Sequence, residues 1–257
     1  LQKQPWLNTD YIGVLVDDSI NSITNNPLRS KLLRKAIGYS IDRNTLVKFL
    51  RNGIGSPAIH GFIPKGMPSF NDSLVGFYYN PKLAQKLISK AIELNNGPLD
   101  PIVLSTTSSY LDLCEYIQNE LSNIGLSIEI NVNPPSIHRQ MVATSKLSFF
   151  RGSWIADYPD AENYLSLFYS KNHSPLGPNY THFENKEYDD LYVKSLLESD
   201  DSLRFLYYNK MDKIIIDNAQ IVPLYYDNVL RFTQTNIKGF SNNAINMLNL
   251  KSVNKVL

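Results

Sequence analysis

The sequence predicts an α/β fold, a mainly parallel mixed sheet flanked by helices, and three observations carry that expectation. Residues 101–105 and 126–132 are strand-like and enclose an apolar-periodic stretch, 109–124, that stops at Gly125. A second helical stretch, opened by Asn133, Pro134 and Pro135 and running through Val142, leads into another strand-like run, 147–154. Strands alternating with helices of this length imply right-handed crossovers between parallel neighbours. Within 126–132, Leu126, Ile128, Ile130 and Val132 share one face while Ser127, Glu129 and Asn131 share the other, the period-two sign of one covered face.

The remaining elements follow from the same signals. Residues 11–16 form a short β-like run. Asn26 and Pro27 break the chain before a helix over 29–39, and Asp42 caps the next helix, with Leu46, Val47 and Leu50 on its buried side and Asn52, Gly53 and Gly55 at its end. A Gly- and Pro-rich loop spans 57–68. Pro81 opens a helix carrying Leu83, Leu87, Ile88 and Ala91, which Asn95 and Gly97 close. Asp160 starts a helical pattern with Tyr164, Leu165 and Phe168 on one face. After an aperiodic loop at 173–180 come two amphipathic helices, 185–197 and 202–216, the second with Leu203, Tyr207, Met211 and Ile214 aligned. Residues 221–226 and 230–233 are β-like. The chain shows no internal repeat and no low-complexity segment.

Composition excludes several function classes. The 25 basic and 24 acidic residues leave almost no net charge, which argues against a nucleic-acid or acidic-membrane partner. A single cysteine, Cys114, precludes an internal disulfide; with Tyr110, Ile117 and Leu121 around it on a helix, it reads as a small core residue and not a nucleophile. No apolar run reaches the ~18 residues of a membrane span. His60, His138, His173 and His182 are dispersed without H-x-x-x-H spacing, so no metal site is expected, and no cofactor motif is present. Nor is there a G-x-S-x-G, Walker or zincin motif. Asp157, Asp160 and Glu162 are conceivable as paired carboxylates for glycoside hydrolysis, but Asp160 and Glu162 fit the first turn of a helix, where its dipole favours negative charge.

The most informative stretch is 151–169, RGSWIADYPDAENYLSLFY. It puts Arg151, Trp154 and Asp157 within seven residues where a strand passes into a helix. Carboxyl ends of strands are where open α/β sheets receive ligands, which places Asp157 to meet one. The plainer readings are that Asp157 caps the helix or braces a turn, that Trp154 is core, and that Arg151 faces solvent or pairs with Asp157.

Trp154, Ala156, Asp157, Tyr158 and Asp160 resemble the W-x-A-D-Y-x-D signature of bacterial extracellular solute-binding proteins of the oligopeptide/dipeptide type, the capture subunits of ABC importers. Four further segments match in order. Arg34, Lys35, Ala36, Ile37, Ile41, Asp42 and Arg43 resemble the family's R-K-A-(L/I) and I-D-R helix pair. Asn185, Tyr188, Asp189 and Leu191 resemble N-x-E-Y-D-x-L, with Asp201, Arg204 and Tyr207 in the helix that follows. Val222, Pro223, Leu224, Tyr225 and Tyr226 resemble its P-L-Y-Y strand, and residues 237–240 its closing V-x-G-F.

The resemblance implies a type II (cluster C) periplasmic-binding-protein lobe that captures oligo- or dipeptides without catalysis and delivers them to a membrane ABC permease. In it Asp157 pairs with the peptide's α-ammonium, Trp154 is the wall beside it, and Arg151 matches a position that in some members faces the ligand's carboxylate. The backbone of Ser153 and Ile155 then grips an extended peptide as an added strand. Arg34–Arg43, Asp189, Arg204 and Tyr207 mark the family but read as structural. A nickel chelate or oligosaccharide is the alternative cargo within the fold.

Because the matches correspond to the C-terminal half of a longer family, the resemblance also implies a fragment. Residues 1–17 are then a hinge and first-lobe strand, 18–218 the second lobe, and 219–257 the return to the first lobe. The whole protein would be periplasmic or at the cell surface, held by a lipid anchor. Loss of partner strands beside 221–232 would leave an apolar edge, giving ground for a homodimer.

Overall fold

The computed structural model describes every residue except 18, 21–25, 96–98, 242, 244 and 257. Gly97 and the expected boundary at residue 18 therefore lie outside the described residues. In chain order the strands of the main sheet are β1 (Gln2–Val14), β2 (Ser56–Pro57), β3 (Ile102–Thr107), β4 (Ile128–Asn133), β5 (Phe149–Ile155) and β6 (Ile221–Arg231). They are arranged β2-β6-β1-β5-β3-β4. A second, two-stranded sheet pairs β7 (Ile237–Lys238) with β8 (Asn254–Lys255).

The α/β class and the mixed sheet are as expected, but parallel pairing is confined to β5-β3-β4. The pairings of β1 with β5, β1 with β6 and β2 with β6 are antiparallel, so the sheet is not mainly parallel. The difference arises in β1, which is longer than its apolar segment suggests. Gln2 to Pro5 carry no strand signature, yet they pair with Arg231 to Asn228. β6 is correspondingly one continuous strand, and Pro223 is tolerated inside it because the register of β1 and β6 shifts beside it, between Asp10 and Tyr11. Lying between β1 and β2, β6 has partners on both sides. Among the described residues β2 covers the outer edge of β6 only at Tyr225 and Tyr226, with Ala58 N donating to Leu224 O, so part of the edge on which a homodimer was expected is capped within the chain.

Helices cover both faces. α1 (Lys31–Ser40), α3 (Pro81–Leu94) and α4 (Leu111–Asn123) bury Leu33, Ile37, Ile88, Cys114 and Ile117 against Ile12, Val14 and Phe149. On the other face α6 (Glu162–Leu165), α7 (Lys186–Leu197) and α8 (Asp201–Asn218) pack Tyr164, Tyr188 and Met211 around Tyr11, Phe62 and Phe150. α2 (Arg43–Thr45), which runs on into a π-helical turn at Leu46–Leu50, and α5 (Pro135–Ala143) are also helical. Side-chain caps fix several starts: Asp42 accepts from the amides of Asn44 and Thr45, Asn80 from Leu83, Asn185 from Tyr188 and Asp200 from Ser202 and Leu203.

Three local expectations change. Val132 is 44% exposed because β4 is an edge strand, and Leu50 is 37% exposed at the end of its turn. In α8 the buried stripe is Tyr208, Met211, Asp212 and Ile215, leaving Leu203 exposed. The stripe is set by Asp212, whose carboxylate accepts the amides of Phe62 (2.7 Å) and Ile63 (3.2 Å). Gly61, at φ +126°, is required beside it, since a Cβ there would collide with the carboxylate. Burial, opposed by those two amides, pushes the Asp212 carboxyl up to about 7.

The centre of the sheet holds an ion pair. Asp10 lies opposite Ser153 on β5 and Tyr225 on β6, so Arg151 is its diagonal neighbour on the same face. Arg151 Nε donates to Asp10 Oδ1 at 2.8 Å, its Nη2 donates to Oδ2, and the Tyr225 hydroxyl donates to Oδ2 at 2.9 Å. Both charged groups are buried. Burial, opposed by Arg151, leaves the Asp10 carboxyl above its ordinary value, while Asp10 holds the Arg151 guanidinium protonated against its own desolvation.

Two outcomes follow for stability. Asp10→Asn strands a buried guanidinium and lowers unfolding free energy by about 3–5 kcal/mol in urea titrations, whereas the double variant Asp10→Asn/Arg151→Met loses markedly less. Asp212 binds its proton more tightly folded than unfolded, so its contribution to stability falls as pH rises from about 4 to about 7 and is flat above. Asp212→Asn removes that portion of the pH slope.

Candidate functional site

β3 and β5 run parallel with their carboxyl ends together, and α4 and α5 begin near these ends. A cavity of about 520 Å³ opens there. Tyr110, His138, Arg139, Arg151, Ser153, Trp154 and Tyr180 are among its lining residues. Ligands in open α/β sheets sit in this kind of crevice. Of the residues singled out from sequence, Arg151, Ser153 and Trp154 meet at this cavity; Ile155 and Asp157 lie just past it on the same strand and loop.

The strand edge explains what Ser153 and Ile155 offer. Ala156 N donates to Leu7 O and Leu15 N to Ser148 O, so the even-numbered residues of β5 direct their backbone groups to β1. Ser153 and Ile155 direct theirs the other way. On that side β5 pairs with β3 at Ser105↔Phe150, and β3 ends at Thr107, so 153–155 run on beyond it.

The loop after β5 is organised by a residue that sequence reasoning passed over. Asn163 Oδ1 accepts from Trp154 Nε1 (2.8 Å) and from Asp157 N (3.3 Å), while its Nδ2 donates to Asp157 Oδ2 (3.3 Å). Asn163 is 6% exposed, Trp154 is half-buried and Asp157 is exposed. One amide thus fixes the indole and orients the carboxylate, leaving the rest of the carboxylate open. A polar residue among Ala161, Tyr164 and Leu165, at the start of an apolar helix face, was the available signal.

The neighbouring carboxylates are committed elsewhere. Asp160 accepts from Glu162 N and the Tyr208 hydroxyl, each at 2.8 Å, and pairs with Arg204 at 3.3 Å. Glu162 accepts the hydroxyls of Tyr158 and Tyr192, and burial followed by the Glu162 contact pushes Tyr158 up to about 12. These contacts brace the helix and do not form a second free carboxylate for acid–base chemistry. The family-marking residues are structural too: Arg34 donates to the Leu28 and Arg29 carbonyls, and Asp189 accepts from Ser170 N and Oγ.

Arg151 pairs with Asp10 and not with Asp157. Its guanidinium is engaged by Asp10 through Nε and Nη2 and lies 3.2 Å over the Tyr110 ring. The His138 ring meets the Arg151 carbonyl through Nε2 at 3.0 Å; burial, opposed by that contact, holds the imidazole below its ordinary value. Arg151 therefore forms the floor of the cavity.

A Ser–His–Asp grouping lies beside the end of β1 and the start of β5, away from the carboxyl end of β5. His182 Nδ1 is 3.0 Å from Asp17 Oδ2, and its Nε2 is 2.9 Å from Ser145 Oγ. However, the same Nε2 is 2.8 Å from the Ser174 carbonyl, and Ser145 is buried, so the grouping ties loops together instead of activating a hydroxyl. Against the effect of burial, contacts with Ser19 and His182 bring Asp17 down to about 2. Among the described residues no cluster of three or more His, Cys, Asp or Glu is placed to hold a metal, and no helix is long and apolar enough to cross a membrane.

Residues 2–175 match the family described as bacterial extracellular solute-binding proteins, family 5 Middle. The dipeptide-binding protein DppE of Bacillus subtilis is 25% identical over 244 residues, covering 91% of this chain and 44% of DppE. The oligopeptide-binding protein OppA of B. subtilis is 27% identical over 222 residues, covering 83% and 40%. In fold, the Escherichia coli murein tripeptide binding protein MppA superposes with TM-score 0.81 at 21% identity, covering 99% of this chain and 49% of that one. AppA of B. subtilis, solved in complex with a nonapeptide, gives 0.79 at 19% identity, covering 100% and 52%. The chain spans about half the length of these relatives. With a match over residues 2–175 and the shared fold, the chain belongs to the family 5 bacterial extracellular solute-binding proteins.

Proposed function

We propose that this chain is the peptide-gripping lobe of the substrate-binding subunit of an ABC importer, working outside the cytoplasm and handing cargo to a membrane permease. The observation that carries the reading is the open edge of β5: the backbone of Ser153 and Ile155 leads, within two residues, to the exposed carboxylate of Asp157. An extended peptide adds to such an edge through main-chain hydrogen bonds, independent of its side chains. Its α-ammonium then meets Asp157, and the Trp154 indole, held by Asn163, packs alongside. Relatives that bind dipeptides, oligopeptides and a nonapeptide support peptide as the cargo class.

Residues 18–218 form the ligand lobe in this reading, with β1 and β6 as the hinge strands. Gln2 to Pro5 and Asn228 to Arg231 pair with each other beyond the stretch of β1 that meets β5, a two-stranded ribbon leading out of the sheet. Closure of two lobes about such a hinge strips water from the ammonium–carboxylate contact and couples binding to shape. The site acts by capture, since Asp160 and Glu162 are already engaged.

Asp157→Ala in the full-length protein weakens binding of the tripeptide Ala-Ala-Ala by at least about thirty-fold in titration calorimetry. An unchanged dissociation constant would falsify the assignment of Asp157 as ammonium anchor.

A further inference from the structure

The cavity beside the signature loop has an uneven charge. Among the described residues two arginines line it and no carboxylate does. One of them, Arg151, is already neutralised from beneath by Asp10 and covered by Tyr110. The other, Arg139, stands exposed on α5 and has no ion pair or side-chain hydrogen bond among the described residues. Around it are Ser109, Tyr110, Ser153 and Tyr180, which offer hydroxyl groups and ring faces. The uncompensated negative charge, Asp157, lies outside this cavity, past the end of β5.

We propose that Arg139 is the specificity-determining cation of this site, receiving a carboxylate of the bound ligand, while Arg151 is an internally neutralised floor. The assignment rests on the peptide reading above and deepens it. A peptide carries a cation at one end and an anion at the other, and the lobe presents Asp157, past the end of β5, and Arg139, on α5 at the cavity, as separate, opposite charges. A guanidinium suits this task because its planar fork accepts a carboxylate through two parallel hydrogen bonds. Arg139 is exposed without ligand, and a ligand seated in the cavity covers the contact from water, which makes it stronger than an exposed surface pair. The carboxylate is supplied by the peptide's own C-terminus or by an acidic side chain, and the two sources share the same chemistry at Arg139.

Calorimetry on the full-length protein separates these sources with three probes: Ala-Ala-Ala as free acid, Ala-Ala-Ala amide, and Ala-Glu-Ala amide. Arg139→Gln is expected to weaken the free acid roughly ten-fold and leave the Ala-Ala-Ala amide unchanged, with Arg139→Lys recovering part of the loss. A matching loss for Ala-Glu-Ala amide assigns the contact to an acidic side chain as well as the terminus. Equal affinity of Arg139→Gln and the unsubstituted protein for both carboxylate-bearing probes overturns the proposal, as does an equal loss for acid and uncharged amide, which signifies a packing role. If the unsubstituted protein binds none of the three, the peptide reading itself falls and this assignment with it. Binding that persists but ignores Arg139 overturns this assignment alone.

Discussion

The buried pair of Asp10 and Arg151 is the constraint from which the rest of the lobe can be read. It joins β1 to β5, and through the Tyr225 hydroxyl it joins both to β6, at the middle of the sheet where both charged groups are buried. A buried pair of this kind is weak evidence of net stabilisation, because two desolvated charges offset much of their own attraction. Its value lies in register. A slip of β5 against β1 by one residue would carry Arg151 to the opposite face, leaving Asp10 uncompensated. The same registration delivers Ser153, Ile155 and Asp157 to the strand end as an ordered series.

A second constraint sits beyond that strand end. Asn163 is held at the start of an apolar helix whose Tyr164 and Leu165 are fully buried, so its amide has little freedom. That fixed amide aligns Trp154 and Asp157 without neutralising the latter. Below, Asp160 is locked by Tyr208 and Arg204 of α8, and α8 is itself anchored through Asp212 to the backbone at Phe62 and Ile63. The exposed carboxylate thus rests on a chain of satisfied polar contacts reaching into the core, which is how a loop is made rigid enough to recognise a ligand.

Much of this was legible from pattern. The alternating elements between residues 101 and 155, the cap at Asp42, the helix start at Asn185 and the buried faces of Ile88, Cys114 and Tyr164 follow local rules that tertiary structure left in place. The misjudged places share a cause: polar atoms whose partners are distant in sequence. Met211 and Ile215 set part of the α8 stripe, but Asp212 completes it, and apolar periodicity does not register a buried carboxylate capping amides 150 residues away. Gln2 to Pro5 look unlike a strand and become one because β6 supplies the ladder. Asn163 reads as an ordinary polar helix residue until Trp154 is seen beside it.

By itself the sequence determined the α/β class, the family likeness and the identity of the loop that ends β5, because these depend on residue order and on periods of two and 3.6. Only the tertiary structure decided which of the loop's charges are free. Arg151 looked available for a ligand and is spent on Asp10, 141 residues earlier in the chain, whereas Arg139, unremarkable in sequence, faces the cavity. Charge availability is a matter of pairing across the fold, and pairing between strands so far apart in sequence is set by sheet topology and register, which no local pattern encodes.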